Sequence, residues 1–179
     1  MKRTFSNPLI GDVATFVKYA HEAGSTDTVV EIDLRPGGGN GLHYHRSFDE
    51  HFECLEGELG IQVGKKVLTL QPGEKATARR NELHRFFNPT DKPIRFRVTL
   101  NPGSPGFEQT IKIAYGLASD GLTNASGVPK KFWQMGVVVD LSDTNVPGIF
   151  TLLQPLLRWS ARRARANGKF DRELKHYTE

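Results

Sequence analysis

One cysteine, Cys54, stands alone in 179 residues. The chain can therefore close no internal disulfide, and a reducing compartment is the expected setting. Long apolar runs are missing as well. No window approaches the roughly 18 consecutive apolar residues that a transmembrane helix needs. Behind Met1-Lys2-Arg3, whose charges resemble the start of a signal peptide, Ser6, Asn7, Pro8, Gly11 and Asp12 interrupt any apolar stretch. The expectation is a cytoplasmic protein without a membrane span. A phosphate-binding loop is also missing. Pro36-Gly37-Gly38-Gly39-Asn40-Gly41 is rich in glycine, but no GK[ST] follows it and it leads towards a strand, not a helix.

What is present is turn-forming residues, 18 glycines and 10 prolines, in a chain that is only 37% hydrophobic. That mixture favours many short strands over a helical bundle. The length suits one domain with a full core. Thr28 to Leu34 alternates, with Val30, Ile32 and Leu34 on one face. Glu50 to Glu56, Leu59 to Val63, Val67 to Leu70, Lys75 to Arg79, His84 to Asn88 and Ile94 to Leu100 continue the series, separated by Gly57-Glu58, Gly64-Lys65-Lys66 and Pro72-Gly73-Glu74. Regular short strands of this kind predict an all-β sandwich or barrel. Residues 1–24 read as a lead-in, in which Thr15 to Ala20 suits either a strand or a short helix.

From residue 107 the texture turns helical. Phe107 to Leu117 reads as a helix, and Val137-Val138-Val139 as a strand or a buried helical piece. Pro147 to Ala166 is the clearest helical region. Pro155 is expected to split it, and Gly168 to stop it. Leu152, Leu153, Leu156, Leu157 and Trp159 form an apolar stripe there, suited to packing on a barrel. Arg158, Arg162, Arg163, Arg165, Lys169, Arg172 and Lys175 crowd the same end, within a formal net charge of +4. No aromatic interleaving or nucleic-acid motif accompanies them, so they read as a solvated polar face without a nucleic-acid partner.

The chemistry lies in one short stretch. His43 and His45, two residues apart on a strand, point to one face. Glu50, near the start of the returning strand, adds a carboxylate, and His84 supplies a third imidazole. Imidazoles with a carboxylate suit a borderline divalent metal such as iron, manganese, nickel, copper or zinc. Phe52, Cys54 and Phe86 share faces with these residues and are candidate walls of a substrate pocket; Tyr44 is a further candidate. Cys54 reads as a small core filler. His21, His51 and His176 read as surface residues. Arg79, Arg85 and Arg95 are the nearest candidate interior cations.

These residues resemble the cupin superfamily, of the small bacterial single-domain, cupin 2 type. The first motif of that family, G-x5-H-x-H-x3–4-E-x6-G, is met by Gly37, His43, His45, Glu50 and Gly57. The second, G-x5-P-x-G-x2-H-x3-N, is met by Gly73, His84 and Asn88, with Arg79 and Asn81 in place of its proline and second glycine. Asn81 can adopt the left-handed turn that the glycine would supply. The motifs cover residues 37–88, and strand-like texture extends the likeness to about 28–100. The resemblance implies a double-stranded β-helix, or jelly-roll barrel, over about 28–106, with a helical extension over about 107–179 packed on it in a single domain. It also implies one divalent metal held by His43, His45, Glu50 and His84, and a homodimer.

The same resemblance implies small-molecule chemistry. Several cupin families are dioxygenases, quercetin dioxygenase among them. The favoured reading is a dioxygenase-type enzyme for a small aromatic or dicarbonyl compound, with Glu50 as proton acceptor. A non-catalytic ligand-binding cupin and a metal-dependent isomerase or epimerase are the alternatives. No separate His/Asp pair stands ready for the isomerase role, and there is no room for the DNA-binding segment usual in a sensor.

Overall fold

The computed structural model describes residues 2–22, 24–148 and 150–178. Met1, Ala23, Ile149 and Glu179, which fall in the expected lead-in, helical and tail regions, lie outside the described residues. Among the described residues nine strands come first: β1 Thr4–Asn7, β2 Asp12–Lys18, β3 Thr28–Leu34, β4 Asp49–Glu56, β5 Leu59–Val63, β6 Lys66–Leu70, β7 Lys75–Ala78, β8 His84–Phe87 and β9 Ile94–Asn101. Four helices follow: α1 Pro105–Ser119, α2 Phe132–Ser142, α3 Phe150–Ala166 and α4 Lys169–Thr178. The helices are too large a part of the chain for the expected all-β label. An antiparallel β fold with a sizable helical portion describes it better.

The strands form two antiparallel sheets, one in the order β1-β2-β3-β9-β4-β7 and one in the order β6-β5-β8. Alternation explains the larger sheet. Val30, Ile32 and Leu34 of β3 are buried, as are Phe96, Val98 and Leu100 of β9 and Glu50, Phe52 and Cys54 of β4. Register brings these together, Phe52 opposite Val98 and Val98 opposite Val30. Leu59 and Ile61 of β5 meet them from the smaller sheet, so one core lies between the two. Hydrogen bonding is not continuous around this core. Along the free side of β8 it is reduced to isolated bridges, Gly39 to Phe87 and His43 to His84.

Several expectations change here. Residues 4–18 add two strands, β1 and β2, to the large sheet; pairing with β3, not local pattern, decides them. The segment with His43 and His45 is no regular strand: it touches β8 at His43 and Asn145 at Tyr44 by single bridges. Asn81 does take the left-handed conformation, φ +64. Gly57, φ +78, turns β4 into β5, and a Cβ there would also meet Ile94 Cγ2 at 2.7 Å.

The helices are built on capped, buried contacts. Ser104 caps α1, its Oγ accepting from Phe107 N at 3.1 Å, with Pro105 in the first turn. Buried Glu108 ties α1 to the sheet, Oε1 accepting from Ala20 N at 2.7 Å and from Thr28 Oγ1 at 2.6 Å. Ile113, Leu117, Val137, Ala161 and Ala164 make a second core among the helices. Val137 to Val139 therefore belong to a helix. Pro155 does not split α3; near the start of a helix it removes one backbone hydrogen bond without ending the packed face. Gly168, φ +68, does end α3, and α4 follows directly.

The expected apolar stripe is also divided. Leu157 is buried, whereas Leu152 (79% exposed), Leu153, Leu156 and Trp159 (55%) face outward. The inner face of α3 uses smaller residues, Ala161 and Ala164, because α2 crosses closely at Gly136, where a Cβ would lie 2.4 Å from Leu157 O. Among the described residues no helix is long and apolar enough to cross a membrane.

Candidate metal centre

His43, His45, Glu50 and His84 offer ligand atoms that all lie within 4.8 Å of one another. Different devices bring each of them there. Glu50 is the second residue of β4, turned inward by strand alternation and paired with Leu100 and Ala78. His84 opens β8, and His43 exchanges backbone hydrogen bonds with it in both directions, N to O at 3.1 and 2.8 Å. The His45 carbonyl accepts from Asn81 N at 2.7 Å, so the left-handed turn of the second motif anchors the histidine of the first. The His45 ring stacks on Phe48 at 4.4 Å and meets the edge of Phe107, from α1, at 6.4 Å.

The tautomers are fixed by the backbone. Nδ1 of His43 lies 2.9 Å from Gly41 O, Nδ1 of His84 lies 2.8 Å from Glu82 O, and Nδ1 of His45 lies 3.1 Å from Ser142 O. A carbonyl can only accept, so each Nδ1 carries the proton and each Nε2 of a neutral ring has a free lone pair. Nε2 of His45 and Nε2 of His84 are buried without an aligned hydrogen-bond partner. His84 Nε2 is 2.7 Å from Glu50 Oε2 and His45 Nε2 is 3.9 Å from Oε1, close charge contacts rather than aligned N–H bonds. Orphaned, converging Nε2 atoms beside a carboxylate fit a divalent ion, and the backbone contacts behind them are the outer support that such ligands usually have.

The charge states agree for His43 and His45 and differ for His84. Burial drives the His43 pKa down to about 4 and that of His45 down as well, despite the Glu50 carboxylate. For His84, burial also works downward, but the Glu50 contact outweighs it and raises the pKa. Burial opposes the Glu50 carboxylate, yet the adjacent His84 and the other two imidazoles prevail and hold its pKa near 2. Glu50 is thus an anion facing neutral rings at His43 and His45, while its contact with His84 favours a proton on that Nε2, which a bound ion would displace. His43 is only half-buried, unlike the other three, and is the most accessible of the four.

The expected pocket residues divide. Phe52 lies with its ring 6.1 Å from His84 and 6.5 Å from Phe86, and Phe86 packs on Phe96 at 4.9 Å. Cys54 sits further along β4, fully buried, with Sγ 3.4 Å from Gly57 O; burial raises its pKa, so the thiol stays protonated. Tyr44 turns away from its histidine neighbours and takes Arg46 on its hydroxyl. Arg85 bonds Gln62, Arg95 pairs with Asp33 and Glu56, and Arg79 is exposed, so none of the three faces the cluster. His21, His51 and His176 are exposed. In the basic region Arg165 pairs with Asp140, while Arg163 lies over Trp159.

Sequence reasoning missed Phe48, Phe107 and residues 142–145. Asp143 ends α2 in the left-handed conformation, φ +50. Its Oδ2 accepts from Arg46 N, Ser47 N and Ser47 Oγ at 2.7, 2.8 and 2.9 Å. Burial opposes this carboxylate, but these donors hold its pKa below the ordinary range. Asn145, fully buried, exchanges backbone hydrogen bonds with Tyr44 at 3.0 Å. No sequence signal links positions so far apart.

Residues 30–102 match the family model Cupin_2, the cupin domain. Tetracenomycin polyketide synthase protein TcmJ of Streptomyces glaucescens is 30% identical over 74 residues, which are 41% of this chain and 50% of that protein. The match thus spans half the length of that curated relative. KdgF from Halomonas sp. is similar over 56% of this chain and 87% of its own, with a TM-score of 0.50 at 14% identity. An RmlC-like cupin from Shewanella frigidimarina NCIMB 400 is similar over 59% and 89%, with a TM-score of 0.50 at 16% identity. At such identities the structural likeness concerns the fold alone. Residues 30–102, the stretch that carries both histidine motifs, are thus matched as a cupin domain.

Proposed function

We propose that the protein is a metal-dependent small-molecule enzyme of dioxygenase type, acting on a small aromatic or dicarbonyl compound. His43, His45, Glu50 and His84 would hold one divalent ion. The observation that carries this reading is the fixing of all three Nδ1 protons by backbone carbonyls, which leaves three Nε2 lone pairs aimed at one carboxylate-lined space. Iron, manganese, nickel, copper and zinc all suit such a donor set. When bound, an ion of this kind supplies Lewis acidity and, if redox-active, a meeting place for oxygen and an electron-rich substrate.

The chain's own residues do the rest. His43, His45 and His84 orient the site; Phe52 and Phe86 exclude water beside His84 and favour a flat or apolar substrate. Glu50, ionised at neutral pH, can accept a proton, but with its pKa held near 2 it is a weak base until one imidazole contact relaxes. A dicarbonyl substrate also accords with the relative named as a polyketide synthase protein, since polyketide chains repeat carbonyls two carbons apart. The lone cysteine supports a cytoplasmic location, and the apolar side chains exposed on α3 support a homodimer.

The test is oxygen uptake by protein reloaded separately with each candidate metal, against a panel of catechols, flavonols and 1,3-dicarbonyls. Uptake that needs both metal and substrate is expected. Tight substrate binding without oxygen uptake under any metal would contradict the dioxygenase reading and leave a ligand-binding cupin.

A further inference from the structure

Besides the Phe107 edge, the helical extension reaches the metal centre at the end of α2, through Ser142 and Asp143. His45 Nδ1 lies 3.1 Å from Ser142 O and 3.3 Å from Asp143 O, the last carbonyls around the end of α2. Those carbonyls form the negative end of a helix, which favours a proton on Nδ1 and strengthens Nε2 as a donor. Stacking on Phe48 and the Phe107 edge fixes the plane of the ring, but neither contact decides which nitrogen faces the cluster. A half-turn of the ring would leave both stacks in place. The carbonyl contact on Nδ1 makes that choice.

The contact depends on a strap that grips the chain on both sides of His45. Ahead of it, Tyr44 and Asn145 exchange backbone hydrogen bonds, and Gln154 of α3 holds Asn145 Oδ1 at 3.0 Å. Behind it, one oxygen of Asp143 collects the three donors of Arg46 and Ser47. The left-handed backbone of Asp143 aims its carbonyl at the ring while its carboxylate reaches the next turn of chain. We propose that Asp143 is a positioning residue for the metal centre: its carboxylate locks residues 46–47 to the end of α2 and so fixes the orientation of His45 Nε2. This rests on the metal-site reading of His43, His45, Glu50 and His84.

The left-handed conformation allows a clean test, because glycine and asparagine both adopt it without strain. Asp143→Gly removes the carboxylate and frees the backbone, and Asp143→Asn restores an acceptor without that added freedom. Ser47→Ala deletes one donor at an exposed position. Cobalt(II) is the probe, titrated into metal-free protein and followed by calorimetry and by its visible absorption bands, with the melting temperature of each metal-free variant measured in parallel.

Asp143→Gly is expected to weaken cobalt binding about tenfold and to shift the visible bands, Asp143→Asn to recover most of the affinity, and Ser47→Ala to show a smaller loss in the same direction. Cobalt affinity and bands in Asp143→Gly equal to wild type would overturn the proposal. Should the glycine variant fail to fold, Ser47→Ala decides, with weaker binding in support and unchanged binding against. Failure of wild type itself to bind cobalt would overturn the underlying site instead.

Discussion

At His43, His45 and His84 the decisive atom is Nδ1. Each is taken by a backbone oxygen, from Gly41, Ser142 and Glu82 respectively, so ring orientation is set by main chain. Another buried acid lies apart from the cluster. Asp12 accepts from the Tyr115 hydroxyl, leaves Oδ1 unpaired and is nearly inaccessible. Burial outweighs that hydrogen bond and raises its pKa from 3.8 to about 6. A carboxyl whose folded pKa lies above its unfolded value binds more protons when folded. Its contribution is therefore full below pH 3.8 and is lost as pH rises through about 6. Asp12→Asn keeps an acceptor for Tyr115 and removes the titration. The variant should melt close to wild type near pH 4 and above it at pH 7 to 8, by on the order of 2–3 kcal/mol of stability. Parallel melting curves across that range, with a constant difference between the two proteins, would contradict the assignment.

Among the elements, α2 approaches α3 closely at Gly136. A side chain there must push against Leu157 O and Ser160 Oγ, both 2.4 Å from a Cβ. Gly136→Val is expected to cost about 1–3 kcal/mol in urea unfolding, and a loss below 0.5 kcal/mol would show that the helices separate easily. The elements legible in the sequence were those with a face to bury. Val30, Ile32 and Leu34 announce β3, and Ile94, Phe96, Val98 and Leu100 announce β9. β1 has only one apolar side chain to bury, Phe5, and its pairing with β2 makes it a strand. α4 places Phe170, Leu174 and Tyr177 on one side, a helical spacing hidden by the surrounding charges. The histidine pair was legible from motif spacing, although no regular strand carries it. Phe48, Phe107 and Asp143 act across turns and long sequence separations, where local pattern holds no information.

Over the whole molecule, His45 is held by Asn81 from the turn before β8 and by the end of α2 from the helical portion. The helices are thus part of the centre's support as well as its cover. An ion that binds only the folded protein would also stabilise it, by about 2.7 kcal/mol at a hundredfold excess over Kd. The central claim is the ion itself. Its most direct test is metal content by plasma mass spectrometry on protein purified without a polyhistidine tag, comparing wild type with His43→Ala and His84→Ala. Near-stoichiometric iron, manganese, nickel, copper or zinc in wild type, mostly lost from both variants while their circular dichroism stays that of a folded protein, is the predicted result. Stoichiometric metal retained by both variants, or none in wild type even after incubation with each metal, would contradict it.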